Sequence, residues 1–290
     1  MVTTVLADLE RIWTEPAAPV CRVGVDIANG WELEIMSRYA GTKAVVTGGT
    51  HGMGRAIVDA LLDGGAEVVL TGRSETTVEK ARTDLAARRA HVVRSDAASM
   101  ADIAALGALV EDTLGAVDAV FVNHGIAEVD HVLEAVTEES YDRQFAVNAK
   151  GAFFTVQRLA PLVRDGGAFV LTTVANDLIF PGMSVYSGSK EALRSFGQVF
   201  AAEFLPRRIR VNAVAPGFIK TPTMGVAGMS DAERAAFEEQ GSAMTPLQRM
   251  GTVEEVAAAA LFLAFDATFT TGVELAVDGG WAQGIPAATS

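Results

Sequence analysis

Cysteine is almost absent from this chain: Cys21 stands alone among 290 residues. One thiol makes no intrachain disulfide and no CxxC metal site, and a reducing compartment suits it. An excess of positive charge is missing too. Lys and Arg number 23 against 36 Asp and Glu, a net charge of −13 with no basic cluster. Nucleic acid and anionic membrane surfaces are therefore poor partners. The four histidines include no HExxH pair, so no metal site of that kind is expected. No apolar run approaches the span of a membrane helix. Met1 to Leu9 carry no basic stretch of the sort that opens a secretory signal. Internal repeats and low-complexity tracts are also missing. The expectation is a cytoplasmic protein.

What the chain does have is apolar content, 50% of residues, enough for a large core. Its length suggests about two domains, but α/β folds of this size commonly form one. Strand-like runs at 43–47, 67–71, 91–94, 118–122, 168–173, 209–214 and 273–277 alternate with helical stretches. That alternation predicts an α/β fold, a Rossmann-like, doubly wound parallel sheet of seven strands in one domain over 41–290. Ser230-Asp231-Ala232-Glu233 and Thr252-Val253-Glu254-Glu255 have capping-box spacing and start two late helices.

The first strand runs directly into Gly48-Gly49-Thr50-His51-Gly52-Met53-Gly54, and an apolar-periodic helix follows through Ala56, Ile57, Ala60 and Leu61. Gly64-Gly65 ends it, and a second strand comes next. Glycines in the first crossover of a βαβ unit let the backbone turn tightly and approach a pyrophosphate, which the helix N-terminus stabilises. The spacing Gly48-xxx-Gly52-x-Gly54 differs from G-x-G-x-x-G, so that fingerprint by itself misses it.

Far downstream, Tyr186-Ser187-Gly188-Ser189-Lys190 sets a phenol and an ammonium four residues apart on one helical face. A free tyrosine has a pKa of about 10. A fixed positive charge beside it favours the phenolate and lowers that value toward the range useful for acid–base chemistry.

Together these motifs resemble the short-chain dehydrogenase/reductase family, in its small single-domain branch that includes ketoacyl-carrier-protein reductases. The resemblance spans about Gly41 to Gly284. It implies a coenzyme loop at Thr47 and Gly48 through Gly54, with Thr50, His51, Gly52 and Met53 in it, and an acidic residue, Asp96, that meets the adenine. It implies coenzyme contacts from Asn123 and Gly125, and from Pro216, Gly217, Ile219 and Thr221 in the segment that closes over the nicotinamide. Pro246 to Gly251 and Val277 to Gly280 match its C-terminal stretch. It further implies a catalytic tetrad of Tyr186, Lys190, Asn148 and Thr173, a mobile substrate lid near 222–245, and a homo-oligomer, tetramer or dimer. An ordinary surface excursion is the other reading of the lid.

The choice of nicotinamide turns on charge. An acidic residue ending the second strand would accept from a ribose 2′-OH and repel a 2′-phosphate. Here Thr71-Gly72-Arg73-Ser74 carries no carboxylate before Glu75, and Arg73 offers a fork suited to phosphate. With Ser74 adding a hydroxyl, and His51 at a position often basic in relatives that use it, NADPH is expected over NADH.

Two departures stand out. Thirteen positions before Tyr186 the chain has Thr173 where the family has serine. The hydroxyl survives, but the branched Cβ restricts its rotamer and adds a methyl, so this is read as a conservative replacement that reshapes the pocket, with a weakened active site as the competing reading. Val122-Asn123-His124-Gly125 replaces Asn-Asn-Ala-Gly. His124 either reaches toward ribose or substrate, or fills space and bonds a local carbonyl. Asn176-Asp177 and Phe180 to Met183 are expected along one pocket wall.

The reaction expected is hydride transfer between NADPH and a ketone. Tyr186 donates the proton, Lys190 lowers its pKa and holds the ribose, Thr173 polarises the carbonyl, and Asn148 anchors a relaying water. A cyclic or aromatic polyketide ketone is the expected substrate class, with 3-ketoacyl reduction as the alternative. A non-catalytic NADPH sensor would be expected to have lost the tyrosine or the lysine. Ser187-Gly188-Ser189-Lys190 matches the S-x-x-K of penicillin-binding hydrolases, but no Ser-Asp-Asn or Lys-Thr-Gly accompanies it. Residues 1–40, with helically spaced Leu6, Leu9, Ile12 and Trp13 and a strand-like run at 20–25, form an extension that the resemblance does not explain. It packs on the domain, joins an interface, or remains from a larger ancestor.

Overall fold

The computed structural model describes residues 38–128, 132–175, 181–221 and 230–286. Residues 1–37 of the extension, 176–180 at the start of the pocket-wall segment and 222–229 at the start of the lid segment lie outside the described residues.

Seven parallel strands make the main sheet, in the order β3-β2-β1-β4-β5-β6-β9. They are β1 (Lys43–Thr47), β2 (Glu67–Gly72), β3 (Ala90–Arg94), β4 (Val117–Val122), β5 (Val163–Thr172), β6 (Arg210–Pro216) and β9 (Glu274–Val277). A small separate ladder pairs β7 (Ile219–Lys220) with β8 (Gly251–Thr252). All expected strands are present. The fifth begins five residues early, where its pairing with β4 shifts register between Val117 and Ala119. It also stops at Thr172, one residue before the expected end.

Central strands read as continuous β-branched and aliphatic runs because both faces of the sheet are covered. On one face lie α1 (Gly52–Asp63) and α8 (Val253–Leu261), whose Ile57, Leu61, Val256 and Ala260 pack on Val46, Leu70, Phe121 and Val170. On the other lie α3 (Met100–Leu114), α5 (Ala152–Leu159) and α6 (Ser184–Glu203). There Leu106, Val110, Val156, Leu193 and Phe200 cover Val45, Val120, Phe169 and Leu171. The remaining helices are α2 (Glu75–Asp84), α4 (Glu138–Phe145) and α7 (Asp231–Met244). Ser230–Glu233 and Thr252–Glu255 form both expected capping boxes. Among the described residues no helix is long and apolar enough to cross a membrane.

Strand order reverses between β1 and β4, and at such a switch point the loops leaving the carboxyl ends diverge to open a crevice. The glycine turn and β4's end border that crevice.

Candidate active site

The glycine turn follows β1 and is held by backbone contacts. Gly48 has φ +65°, a conformation that L side chains rarely adopt, and a Cβ there would stand 3.0 Å from the His124 backbone. A Cβ on Gly54 would fall 2.2 Å from the Gly48 carbonyl oxygen, so the first turn of α1 closes on the loop only because that carbon is missing. His51, the N-cap of α1, places no side-chain acceptor on the helix's leading N–H groups. Those donors, a narrow turn and the positive end of the helix dipole fit a pyrophosphate. Across the crevice, a Cβ on Gly52 would lie 4.0 Å from the Thr221 side chain, so the two coenzyme segments expected from the sequence do meet.

At the end of β2, Thr50 leans against Gly72, and its Oγ1 lies 3.2 Å from His51 Nδ1. Arg73 and Ser74 follow directly and are exposed. The nearby Glu75 carboxylate is engaged by Arg82 and Arg94. Arg73 has no ion pair among the described residues, so its guanidinium is available to an anion. Asp96, partly buried just beyond β3, accepts from the Ala98 N–H.

Asn123 ties the turn to the middle of the sheet. Its Nδ2 donates to Gly48 O (3.2 Å) and its Oδ1 accepts from Thr172 Oγ1 (3.2 Å). His124 is fastened to the same place, with Nδ1 2.7 Å from Thr47 Oγ1. Its Nε2 is buried and has no hydrogen-bond partner among the described residues. Burial first, then the Lys190 charge, lower the His124 pKa to about 4, so the ring is neutral near pH 7. Of the two sequence readings, the local bond is the one observed. Pro216 O accepts from Ala175 N (3.1 Å), Gly217 N donates to Val277 O (3.1 Å), and Ile219 is buried. These contacts fix the segment leading to Thr221.

Tyr186 and Lys190 lie on adjoining turns of α6. Lys190 is only 3% exposed, and its Nζ donates to Thr172 O at 2.8 Å. Burial lowers its pKa to about 8. Met53, partly buried, packs against the core on the α1 side, and a Cβ on Gly125 would stand 2.9 Å from Lys190 Nζ and 3.3 Å from Asn148 Oδ1. Lys190 and Asn148 therefore flank one glycine.

One expectation needs correcting, and two further residues have protein partners in the structure. Tyr186 is not shifted down: burial pushes it up to about 12, because loss of water costs the phenolate more than a lysine directed at Thr172 O returns. Asn148, wholly buried in a π-helical turn (Ala146–Gly151), commits both amide protons, to Ile126 O (2.8 Å) and Ser189 Oγ (3.0 Å). Its Oδ1 accepts from Ile126 N (2.8 Å), so the side chain pins two elements together. Thr173 is likewise held by protein atoms. Its hydroxyl contacts Val214 O (3.0 Å) and Glu274 Oε1 (2.5 Å), and its one proton goes to the shorter, charged acceptor. Strand alternation turns residue 173 away from the side on which Thr172 meets Asn123.

Sequence reasoning missed four participants. Ser189, inside the Tyr–Lys motif itself, bridges Asn148 to Tyr186 O (2.7 Å). Thr172 supplies the lysine's acceptor, a backbone atom with no sequence signature. Glu274 and Arg194 enter only through tertiary contact.

Comparison with known proteins agrees with this architecture. A family model described as enoyl-(acyl carrier protein) reductase matches residues 48–282. The chain is 35% identical over 256 residues to versicolorin reductase 1 of Aspergillus parasiticus, covering 84% of this chain and 97% of the relative. A Serratia marcescens short-chain dehydrogenase/reductase double mutant superposes with TM-score 0.76 at 28% identity, over 84% of this chain and 99% of that one. Levodione reductase gives TM-score 0.78 at 25% identity, over 85% and 99%. With its glycine turn and its Tyr–Lys helix on a seven-stranded parallel sheet, this chain belongs to the short-chain dehydrogenase/reductase family and is an oxidoreductase that works with a nicotinamide coenzyme.

Proposed function

We propose that the protein is an NADPH-dependent ketoreductase acting on a cyclic or aromatic polyketide-type ketone, as a cytoplasmic homo-oligomer. One observation carries the reaction: Lys190 Nζ is buried at the end of β5, one helical turn from Tyr186, beside the glycine that borders the crevice. Nothing in a packed core calls for an ammonium there.

When bound, the coenzyme supplies the hydride. The chain's residues manage the proton and the charge. Tyr186, with its pKa near 12, stays protonated near neutrality and holds the proton that the reduced carbonyl oxygen needs. Lys190, largely an ammonium at pH 7, stabilises the phenolate left behind. Asn148 and Ser189 fix the helix that carries both groups. Thr173, just past the end of β5, offers the hydroxyl that orients and polarises the carbonyl. Arg73, open at the end of β2 while Glu75 is engaged elsewhere, supports NADPH over NADH.

The substrate class rests on the His124 and Thr173 replacements, which reshape the walls of the crevice, and on relatives named as reductases of versicolorin and levodione. The second reading is a 3-ketoacyl thioester carried by acyl carrier protein; the family model's description names that carrier, though with an enoyl substrate. Absorbance-monitored NADPH oxidation against cyclic ketones and a 3-ketoacyl thioester separates the two. The expected result is turnover of a cyclic ketone that Tyr186→Phe reduces by about 1000-fold while NADPH binding persists. Full turnover by Tyr186→Phe sinks the assignment.

A further inference from the structure

An imidazole enclosed in protein, at a position where the family pattern has alanine, calls for a reason beyond filling space. His124 leaves the end of β4 at the sheet's switch point, and its Nε2 is buried. Alanine would occupy that place with no polar side-chain atom to satisfy.

One end of the ring is fastened. Thr47, the last residue of β1, accepts at Oγ1 from Asn123 N (3.1 Å) and His124 N (3.4 Å). Its own proton goes to Nδ1 at 2.7 Å, so the ring's hydrogen sits on Nε2. The His124 backbone is also set against the glycine turn, since a Cβ on Gly48 would stand 3.0 Å from His124 Cα. What displaces the turn therefore displaces the ring. The other end of the ring faces the Val147 backbone, which favours the protonated ring while burial and the Lys190 charge oppose it. No well-formed bond is made there, and Nε2 is a buried donor without a partner among the described residues. An unpaired buried donor is unfavourable, and a carbonyl has two lone pairs, so Val147 O can serve its own helix and the ring together.

Val147 belongs to the π-helical turn Ala146–Gly151, where both sides of the crevice converge. Turns of this kind are frequent at functional sites. Asn148, the next residue, holds Ile126 and, on α6 beside Lys190, Ser189. From the coenzyme side, a Cβ on Gly151 would stand 2.2 Å from Ala97 O, so the loop carrying Asp96 rests on the same turn.

We propose that His124 is a positioning residue that joins the two sides of the crevice when coenzyme binds: coenzyme seated on the glycine turn carries the ring until Nε2–H donates to Val147 O, which fixes the π-helical turn and its Asn148. Without coenzyme the contact stays open and the two sides are independent. This link needs coenzyme binding alone and goes beyond the ketoreductase reading.

The test titrates the whole protein with NADP+ or NAD+, whichever it binds more tightly, and reads signals that do not depend on turnover. NMR of the His124 ring, identified by its loss in His124→Ala, shows Nε2–H passing from unbonded to hydrogen-bonded as coenzyme binds. Hydrogen exchange shows the amides of 146–152 slowed by coenzyme in the unmodified protein but not in His124→Ala. The coenzyme Kd, from fluorescence, rises by about tenfold in His124→Ala and His124→Phe, the worth of one neutral hydrogen bond. His124→Gln keeps an N–H donor near the position of Nε2 and stays within about threefold.

A His124→Phe variant that binds coenzyme as tightly as the unmodified protein reduces the ring to a filler and overturns the proposal. So does an Nε2–H already bonded without coenzyme, or slowed exchange at 146–152 that survives in His124→Ala. The ketoreductase reading fails separately, when coenzyme binds and no ketone is reduced.

Discussion

The two banks of the crevice are built from different materials. The coenzyme bank, from β1 through β3, is shaped by backbone: a positive φ, missing Cβ atoms and a helix N-terminus. The catalytic bank, from β5 to β9, is shaped by polar side chains carried into a covered interior, namely Lys190, Asn148, Ser189, Thr173 and Glu274. Tight backbone turns are specified locally and cost little to desolvate. Buried charges need partners, and here those partners lie between 18 and 101 residues away in sequence. Stability and activity therefore oppose each other on the catalytic bank and not on the other.

Lys190→Met sharpens this contrast most. Turnover is expected to fall by about 1000-fold, since the charge that stabilises the tyrosinate is gone. The fold is expected to gain. Burial lowers the Lys190 pKa from the ordinary 10.5 to about 8, a fall worth roughly 3 kcal/mol of disfavoured ammonium, from which the lost bond to Thr172 O subtracts about 1.5. The sign follows from linkage. Below pH 8 both folded and unfolded chains hold the proton, so the penalty is present in full. Between about 8 and 10.5 the folded chain sheds it first and the penalty fades. Denaturant titration of Lys190→Met at pH 7 should show higher stability than the unmodified protein, with the difference shrinking toward pH 10. Lower stability at pH 7 would mean that the hydrogen bond outweighs desolvation.

Gly54→Ala tests the other bank. Its Cβ would meet the Gly48 carbonyl oxygen at 2.2 Å, a backbone atom that cannot rotate aside. The turn must open, and NADPH affinity is expected to drop by about 100-fold, roughly 2.7 kcal/mol, measured by coenzyme fluorescence. The pKa of Lys190, taken from the pH profile of kcat/KM for NADPH, should stay near 8, with activity falling as pH rises through it. A joint shift of both would show that the banks are not separable.

The same contrast decides what the sequence revealed. Glycine spacing, the Tyr–Lys interval and the two capping boxes are local patterns, and each appears where its residues predict. Strand ends come out within a few residues, yet one residue is enough to matter. Thr172 meets Asn123 while Thr173, the very next residue, meets Glu274, because successive side chains of an extended chain point to opposite faces. Neither the Glu274–Thr173 contact nor the raising of the Tyr186 pKa has a local signature, because both depend on what the fold brings alongside. Lys190 beside Tyr186 suggested a lowered value; only burial, which spacing does not report, reverses it.

His124 lies where the two banks meet, and its substitution should have the smallest effect. Thr47 Oγ1 accepts from Asn123 N (3.1 Å) and His124 N (3.4 Å), which leaves its own proton for His124 Nδ1 at 2.7 Å in preference to Phe121 O at 3.3 Å. The ring is then neutral with its hydrogen on Nε2, which faces the Val147 backbone without a well-formed hydrogen bond. His124→Ala loses the Thr47 bond and some packing but also removes a buried donor without a partner, so at pH 7 these oppose and stability should change by less than about 1 kcal/mol. The acid side differs. With a folded pKa near 4 against an ordinary 6.5, the unmodified protein loses stability as pH falls from 6.5 to 4, because the unfolded chain takes the proton first. The alanine variant lacks that loss. Its stability relative to the unmodified protein should rise by roughly 3 kcal/mol across that interval, and ring-nitrogen NMR should show no titration of His124 above pH 5. A ring that titrates near 6.5 would place His124 in contact with water, and with it the crevice floor between the two banks.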